Sequence, residues 1–261
     1  MSSGNEPLTI KMIVTDLDGT LLREDKSISD YTRAIINKCR TAGIKFAFAT
    51  GRGTAFKVAP AELFDARITN NGAIAWVGQV VVYNKLIPYQ TARPILTACS
   101  ERGIKIASQI GGMHYSNFAV SDIWPWIKDF QIVDFATHDM DAEKLYTPSL
   151  LAENLRFIER LIPSDLYSVV TTDISGDLFQ IMHREATKGQ AVLALGQHWN
   201  ILPSEIVTFG NDLNDIDMLS SVSLGVAVEN ALDEVKAAAK YVCGSNENDG
   251  LAKWIAENVL R

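Results

Sequence analysis

Short apolar runs that stop at a polar residue recur near the start of the chain. The segments 10–15 and 44–50 are mostly apolar and end on polar residues, which is typical of buried strands in a parallel sheet. Between them, Ser29 is a candidate N-cap, Ile35 lies on an apolar face, and Gly43 suits the position just after a helix. Strand, helix and strand in this order predict a right-handed parallel βαβ unit.

The same alternation returns in the last third of the chain. It predicts helices over 188–198, 212–219, 231–239 and 250–260, and strands over 206–209, 224–228 and 241–243. Together with the first βαβ unit, these elements predict an α/β fold with a Rossmann-like, doubly wound parallel sheet.

The middle of the chain has a different pattern. It predicts a hairpin over 76–85, helices over 91–102 and 148–161, strands over 104–110 and 130–135, and a second hairpin over 167–183 around Ser175–Gly176–Asp177. Hairpins inside and βαβ units outside indicate an α+β domain inserted into an α/β core. We therefore expect a core of residues 1–84 and 186–261, with an insert of residues 85–185.

Composition narrows the class of protein. The chain has 261 residues, of which 47% are hydrophobic and 21% charged, so disorder is not expected. No apolar run approaches the ~20 residues of a membrane span, and the segment 1–9 lacks the apolar stretch of a signal peptide. The three cysteines are odd in number and far apart, which argues against a disulfide framework. These features predict a cytoplasmic protein without a membrane partner.

The charge balance bears on possible ligands. A formal net charge of -7 disfavours nucleic acid as a partner and leaves room for bound cations. His114, His138, His183 and His198 do not have the spacing of metal ligands, so packing or surface roles are expected for them.

Two aspartates follow the first predicted strand. Asp16 and Asp18 are one residue apart, and carboxylates this close repel each other unless a cation or a proton lies between them. A hard divalent ion with oxygen ligands fits this pair, and Mg²⁺ is the first candidate. The alternative is an aspartate-rich turn in which Asp16 is a cap and Gly19 a turn residue.

Two further strand ends should lie on the same edge of the sheet, where open α/β sheets bind ligands. Thr50 and Gly51 offer a hydroxyl and backbone N–H groups ahead of a predicted helix holding Phe56 and Val58, which suits an anion or simple helix capping. The segment 210–215 places Asn211, Asp212, Asn214 and Asp215 at a helix start, more polar side chains than capping requires.

Lys188 opens the helix that precedes this last strand. A lysine at a helix start opposes the macrodipole, which indicates an anionic partner, although a solvated surface lysine is the alternative.

The order of these segments resembles the four motifs of the haloacid dehalogenase (HAD) superfamily. More narrowly, the chain is similar to Cof-type phosphatases with a type IIB cap, since the insert falls between the second and third motifs. The segments that carry the resemblance are Asp16–Leu22, Thr50–Arg52, Asn71–Ala73, Thr187–Gly189 and Gly210–Asp215. The stretches Val226–Ala231 and Asp249–Ala252 are also similar to the C-terminal half of that family.

The resemblance implies a role for each motif residue. Asp16 would be the nucleophile that forms an aspartyl-phosphate, and Asp18 the general acid and base. The Mg²⁺ ligands would come from Asp16, the Asp18 backbone carbonyl and the loop 210–215, braced from behind by Asp215. The implied phosphate-binding residues are Leu17, Thr50, Gly51, Lys188 and Asn214.

One position departs from the family pattern. The last motif usually reads Gly-Asp-x-x-Asn-Asp, and this chain has Asn211 where the first aspartate, a metal ligand, is expected. Asn211 could ligate Mg²⁺ through its neutral oxygen, or Asp212 could take over this role.

These features predict a Mg²⁺-dependent phosphatase that acts on a small phosphorylated metabolite, with sugar phosphates implied by the resemblance. One alternative is a phosphotransferase or mutase on the same core. The other is a catalytically idle metabolite-binding protein, which the presence of Asp16 and Lys188 disfavours.

Overall fold

The computed structural model describes residues 9–53, 61–173 and 176–260. The segment 1–8, on which most of the signal-peptide argument rests, lies outside these residues. So do Phe56 and Val58 of the helix predicted after Gly51, and Ser175 of the second predicted hairpin.

Strands and helices both occur along the part of the chain that the structure describes, and the strands are given first. They are β1 Met12–Asp16, β2 Lys45–Ala49, β3 Ala66–Thr69, β4 Ile74–Val77, β5 Val80–Asn84, β6 Ala107–Ile110, β7 Met113–Ser116, β8 Phe130–Ile132, β9 Lys144–Thr147, β10 Leu166–Asp173, β11 Gly176–His183, β12 Ile206–Gly210, β13 Leu224–Val228 and β14 Tyr241–Cys243. The α-helices among the same residues are α1 Asp30–Thr41, α2 Tyr89–Glu101, α3 Ala152–Glu159, α4 Lys188–His198, α5 Ile216–Ser220, α6 Asp233–Ala238 and α7 Gly250–Asn258.

The first compact unit contains the described residues 9–51, 61–84 and 187–260. Its sheet has the order β14-β13-β12-β1-β2-β3-β4-β5, parallel from β14 to β3 and antiparallel at β4 and β5. Strand β1 lies between β12 and β2 and is buried along its whole length. Burial on both faces explains its continuous apolar run. The predicted α/β class with a doubly wound parallel sheet is confirmed.

Helices cover both faces of this sheet. Helix α4 packs Val192 and Leu195 into one core with Met12 and Val14 of β1. Phe209 points to the opposite face, where its ring lies 5.6 Å from that of Trp254 in α7. The two alternating faces of the central strands therefore both lie in apolar cores.

The first helix follows its sequence signals closely. The Ser29 hydroxyl oxygen accepts a hydrogen bond from the Thr32 N–H at 3.0 Å, as an N-cap does. Gly43 follows the helix with φ +81°, a conformation that glycine adopts without a steric cost.

The second compact unit contains the described residues 52–53, 85–173 and 176–186. Its sheet has the order β10-β11-β9-β6-β7-β8 and is antiparallel except between β7 and β8. Helix α2 packs Ile95 and Leu96 against Leu145 and Ile181 of this sheet. The insert is thus an α+β unit.

Several predicted boundaries are wrong. The helix predicted over 212–219 is a 3₁₀ turn, Leu213–Asp215, followed by α5 from Ile216. The strand predicted to reach Phe135 ends at Ile132, because Asp134 accepts a hydrogen bond from the Ala136 N–H and starts a 3₁₀ turn. The helix predicted from 148 begins at Ala152, and β3, β7 and β9 were not predicted.

Two predicted properties can be compared with the described residues. None of the helices in the ranges given above is long and apolar enough to cross a membrane. Cys39, Cys99 and Cys243 are buried free thiols, as expected of a chain without a disulfide framework.

Candidate active site

A buried ion pair lies at the carboxyl end of β1. Asp16 ends this strand, and Lys188 begins α4, whose N-cap is Thr187. The Lys188 Nζ atom lies 2.7 Å from Asp16 Oδ1 and 2.6 Å from Asp215 Oδ1, and its side chain is 0% exposed. An ammonium group taken out of water is costly unless it is paired. Two carboxylates hold this one.

Burial changes the acidity of these groups. It raises the pKa of the Asp16 carboxyl to about 7, a shift that the Lys188 charge opposes and the Asp215 charge increases. Burial also disfavours the Lys188 ammonium, but the attraction of Asp16 and Asp215 outweighs it and raises the pKa of Lys188. Lys188 therefore stays protonated. A desolvated carboxylate beside this fixed cation is more basic than one in water.

Asp215 also organises the loop that follows β12. Its Oδ2 atom accepts hydrogen bonds from the backbone N–H groups of Asn211 at 2.9 Å and Asp212 at 3.0 Å. A Cβ atom on Gly210 would lie 2.5 Å from the Asp215 Cβ, so the loop depends on a glycine there. One buried carboxylate thus fixes both the loop backbone and the Lys188 side chain, the contacts expected of a bracing residue.

The Asn211 side chain faces the end of β1. Its Oδ1 atom accepts a hydrogen bond from the Thr20 hydroxyl at 2.8 Å. The same position lies 3.0 Å from the Asp18 carbonyl oxygen and 3.2 Å from Asp16 Oδ2. Adjacent ligands of an octahedral Mg²⁺ are about 3 Å apart, because each lies about 2.1 Å from the ion.

One carboxylate, one carbonyl and one amide oxygen therefore form a donor set that fits a hard divalent cation. Within the described ranges, three His, Cys, Asp or Glu side chains nowhere form a metal-binding group. Asp212 is exposed, and its carboxylate accepts a hydrogen bond from the Leu213 N–H at 2.7 Å. Of the two alternatives for the metal ligand, only Asn211 has its side chain directed at Asp16.

The end of β2 meets the same region through Asn71. The Asn71 N–H donates to the Thr50 carbonyl at 3.0 Å, and Asn214 Nδ2 donates to Asn71 Oδ1 at 2.9 Å. A Cβ on Gly51 would lie 2.8 Å from Asn71 Oδ1. Asn71 thus links the predicted phosphate-binding residues of two loops.

Asp18 lies in a turn with one buried and one exposed side. The Leu17 carbonyl accepts a hydrogen bond from the Leu22 N–H at 2.8 Å, which folds the chain back after β1. The Asp18 Oδ1 atom lies 2.9 Å from Lys26 Nζ, in a pair whose side chains are 35% and 55% exposed. The contact with Lys26 was not predicted, because nothing in the local sequence pattern links this residue to Asp18.

Residues from the C-terminal part of the chain hold this turn. Asn230 Nδ2 donates to the Gly19 carbonyl at 2.7 Å, and Asn246 Nδ2 donates to the Leu22 carbonyl at 2.9 Å. The Asp249 carboxylate accepts from Arg23 at 3.1 Å. The turn that carries Asp18 is therefore fixed by side chains that lie outside the four motifs.

Comparisons with known proteins show which family and which relatives this chain is similar to. Residues 13–255 match the family model of haloacid dehalogenase-like hydrolases. A Haemophilus influenzae protein provisionally named a phosphatase is 28% identical over 259 residues, covering 95% of this chain and 97% of that protein. A 5-amino-6-(5-phospho-D-ribitylamino)uracil phosphatase of Bacillus subtilis is 28% identical over 269 residues, covering 100% of both chains.

The fold also matches solved structures. One of them is described as a HAD subclass IIB sugar phosphatase. It aligns with a TM-score of 0.78 and 25% identity, covering 95% of this chain and 98% of that one.

Proposed function

The chain belongs to the haloacid dehalogenase-like hydrolases, and we propose that it is a Mg²⁺-dependent phosphatase that hydrolyses a small phosphorylated metabolite through an aspartyl-phosphate. The observation that carries this proposal is the buried Asp16 carboxylate at the end of β1, 2.7 Å from the Lys188 ammonium. A desolvated carboxylate is a competent nucleophile, and the fixed Lys188 ammonium, together with Mg²⁺, would offset the charge of an anionic substrate.

Asp16 begins the reaction. One of its carboxylate oxygens attacks phosphorus, an Asp16–phosphorus bond forms, and the bond from phosphorus to the leaving alkoxide breaks. Lys188 offsets the negative charge on the phosphoryl oxygens and keeps its proton throughout, because Asp215 also holds it. Water then attacks phosphorus, releases inorganic phosphate and restores the Asp16 carboxylate.

Asp18 handles the protons. Its carboxyl group gives a proton to the leaving alkoxide and takes one from the attacking water in the second step. Its half-exposed pair with Lys26 is weak in solvent, so the Asp18 side chain can leave it to reach a bound substrate.

The remaining motif residues bind phosphate and metal. The Thr50 hydroxyl, the Leu17 and Gly51 backbone and the Asn214 amide would hold the phosphoryl oxygens. Asp16, the Asp18 carbonyl and Asn211 would hold Mg²⁺. When bound, Mg²⁺ supplies positive charge that offsets the charges of Asp16 and the phosphoryl group.

We assign residues 85–185 as a cap domain that selects the leaving group. Sugar and polyol phosphates are the proposed substrate class. The similarity to a subclass IIB sugar phosphatase and to a phosphatase of a ribityl phosphate compound supports this class. We place the reaction in the cytoplasm, where such metabolites occur.

The decisive experiment is a phosphate-release assay over sugar phosphates, polyol phosphates and nucleotides, with MgCl₂ or with EDTA. Asp16→Asn removes the nucleophile with little change in shape, and Asp233→Asn is the matched control, because the Asp233 side chain is 99% exposed. We expect release by the wild type and the control with MgCl₂ only, and none by Asp16→Asn.

Three results would contradict the proposal. Phosphate release by Asp16→Asn above about a tenth of the wild-type rate would exclude Asp16 as the nucleophile. Transfer to a second sugar without phosphate release would indicate a phosphotransferase. Binding of the metabolites without turnover would indicate an idle binding protein.

A further inference from the structure

The Asn211 amide has an unusual set of neighbours. Its Oδ1 position lies within 3.2 Å of three oxygens, the Thr20 hydroxyl, the Asp18 carbonyl and Asp16 Oδ2. Only the hydroxyl can donate a hydrogen bond to an amide oxygen. The other two repel it unless a cation lies between them.

Rotation of the amide by 180° removes this conflict. The nitrogen then occupies the same position, and its two hydrogens have three acceptors within reach: the Asp18 carbonyl at 3.0 Å, Thr20 Oγ1 at 2.8 Å and Asp16 Oδ2 at 3.2 Å. One side chain can thus hold the same oxygens together in two ways, with a cation through its oxygen or without one through its nitrogen.

Two neighbours accommodate both orientations. The Thr20 hydroxyl is 1% exposed and can either donate to the amide oxygen or accept from the amide nitrogen. Gly19 has φ +78°, and a Cβ atom there would lie 2.7 Å from Asn211 Nδ2. The lack of a side chain at this position leaves room for either end of the amide.

We propose that Asn211 is a two-state residue whose oxygen ligates the divalent ion and whose nitrogen replaces the ion in the metal-free protein. An aspartate at 211 has no second orientation, and without a cation it places another carboxylate about 3 Å from Asp16. Compared with an aspartate, Asn211 attracts the ion more weakly, but it keeps the site ordered when no metal is bound. The inference rests on the metal site of the proposed function, and not on the reaction.

Thermal unfolding of the wild type, Asn211→Asp and Asn37→Asp in EDTA and in saturating MgCl₂ tests this proposal. Asn37 is exposed on α1, so Asn37→Asp adds the same charge away from the site. In EDTA we expect Asn211→Asp to melt about 4 °C or more below the wild type. The control Asn37→Asp should have the same Tm as the wild type. MgCl₂ should raise the Tm of Asn211→Asp more than that of the wild type.

If Asn211→Asp folds only with MgCl₂, its stability in EDTA is even lower than expected, and this outcome also supports the proposal. An Asn211→Asp Tm equal to or above the wild-type Tm in EDTA would overturn the proposal.

A second measurement uses the wild type alone. The side-chain NH₂ resonances of Asn211, assigned by their loss in Asn211→Ala, should shift and exchange faster with solvent when MgCl₂ is added. Unchanged resonances at a MgCl₂ concentration that raises the Tm would overturn the reorientation. Neither measurement uses phosphate release, so an inactive wild type would refute the proposed function and not this inference.

Discussion

Asp215 and Asp16 share one buried ammonium group, because Lys188 Nζ lies 2.6 Å from the first and 2.7 Å from the second. This relationship explains why a lysine begins α4 although the helix dipole disfavours a cation there. The attraction of the two carboxylates outweighs the burial that disfavours the ammonium, and the pKa of Lys188 is raised as a result. Asp215 is therefore a structural partner of Asp16, the proposed nucleophile, although it comes from a different loop.

The first prediction concerns this shared ion pair. Asp215→Asn leaves Lys188 with one carboxylate and should lower the free energy of unfolding by about 3–5 kcal/mol, the cost of breaking a buried pair. Asp212→Asn is the matched control on the same loop, because its side chain is exposed and asparagine also caps well. Urea denaturation measures both, and equal losses would show that Asp215 does not hold the lysine.

The second prediction concerns the metal ligands. Asn211→Ala removes an oxygen from the proposed set and should raise the Mg²⁺ concentration for half-maximal activity by about tenfold or more, a loss of about 1.4 kcal/mol. Asp212→Ala should change it little, because Asp212 caps Leu213.

Metal titration of the two variants in one buffer decides between these residues. A lost metal dependence in Asp212→Ala, with wild-type behaviour of Asn211→Ala, would make Asp212 the ligand.

The sequence predicts the edge of the sheet on which the site lies. Apolar runs that stop at Asp16, at Thr50 and at Gly210 become adjacent parallel strands, so their polar ends come together. The periodicity of apolar residues indicates where each strand and helix begins and ends. For this reason α4, β13 and β14 have the predicted bounds.

The contacts that shape the site have no local signal. Thr20 and Asn211 are 191 positions apart, and the hydrogen bond between them depends on how two loops approach each other. Asn71 and Lys26 have positive φ angles of 54° and 66° that the pattern of apolar residues does not indicate. Tertiary packing determines these contacts and backbone angles, and the hydrophobic periodicity of a single sequence does not report them.

The third prediction is a pH dependence of stability at Asp249. Burial opposes its ionisation, but hydrogen bonds from Ser29, Thr32 and Arg23 outweigh it and hold the pKa of Asp249 below its usual value. A lowered pKa in the folded state adds stability that is complete above the unfolded value of about 4 and is lost as the pH falls through the folded value.

Asp249→Asn should therefore lower the urea midpoint at pH 7, and its difference from the wild type should shrink below pH ~4. Asparagine tolerates the φ of +55° at this position, so the variant isolates the charge. Asp233→Asn, whose side chain is exposed, should match the wild type at both pH values. If the urea midpoints of Asp249→Asn and the wild type differ equally at both pH values, the effect comes from packing and not from ionisation.

The fourth prediction concerns Gly72, which lies against the start of α4. Its φ is +102°, and a Cβ atom there would lie 2.1 Å from the Thr187 carbonyl oxygen and 2.8 Å from the Lys188 nitrogen. Gly78 has a φ of +57° with no atom within 4 Å of its Cβ position, so Gly78→Ala reports the backbone strain alone. That strain should cost about 1 kcal/mol.

Gly72→Ala adds a clash with backbone that cannot rotate away. We expect it to lower the free energy of unfolding by about 2 kcal/mol more than Gly78→Ala does, and to lower kcat because Lys188 is displaced from Asp16. Urea denaturation and phosphate release on the two purified variants measure both effects. Equal stabilities would mean that α4 shifts freely, and an unchanged kcat in Gly72→Ala would mean that Lys188 keeps its place when the start of its helix moves.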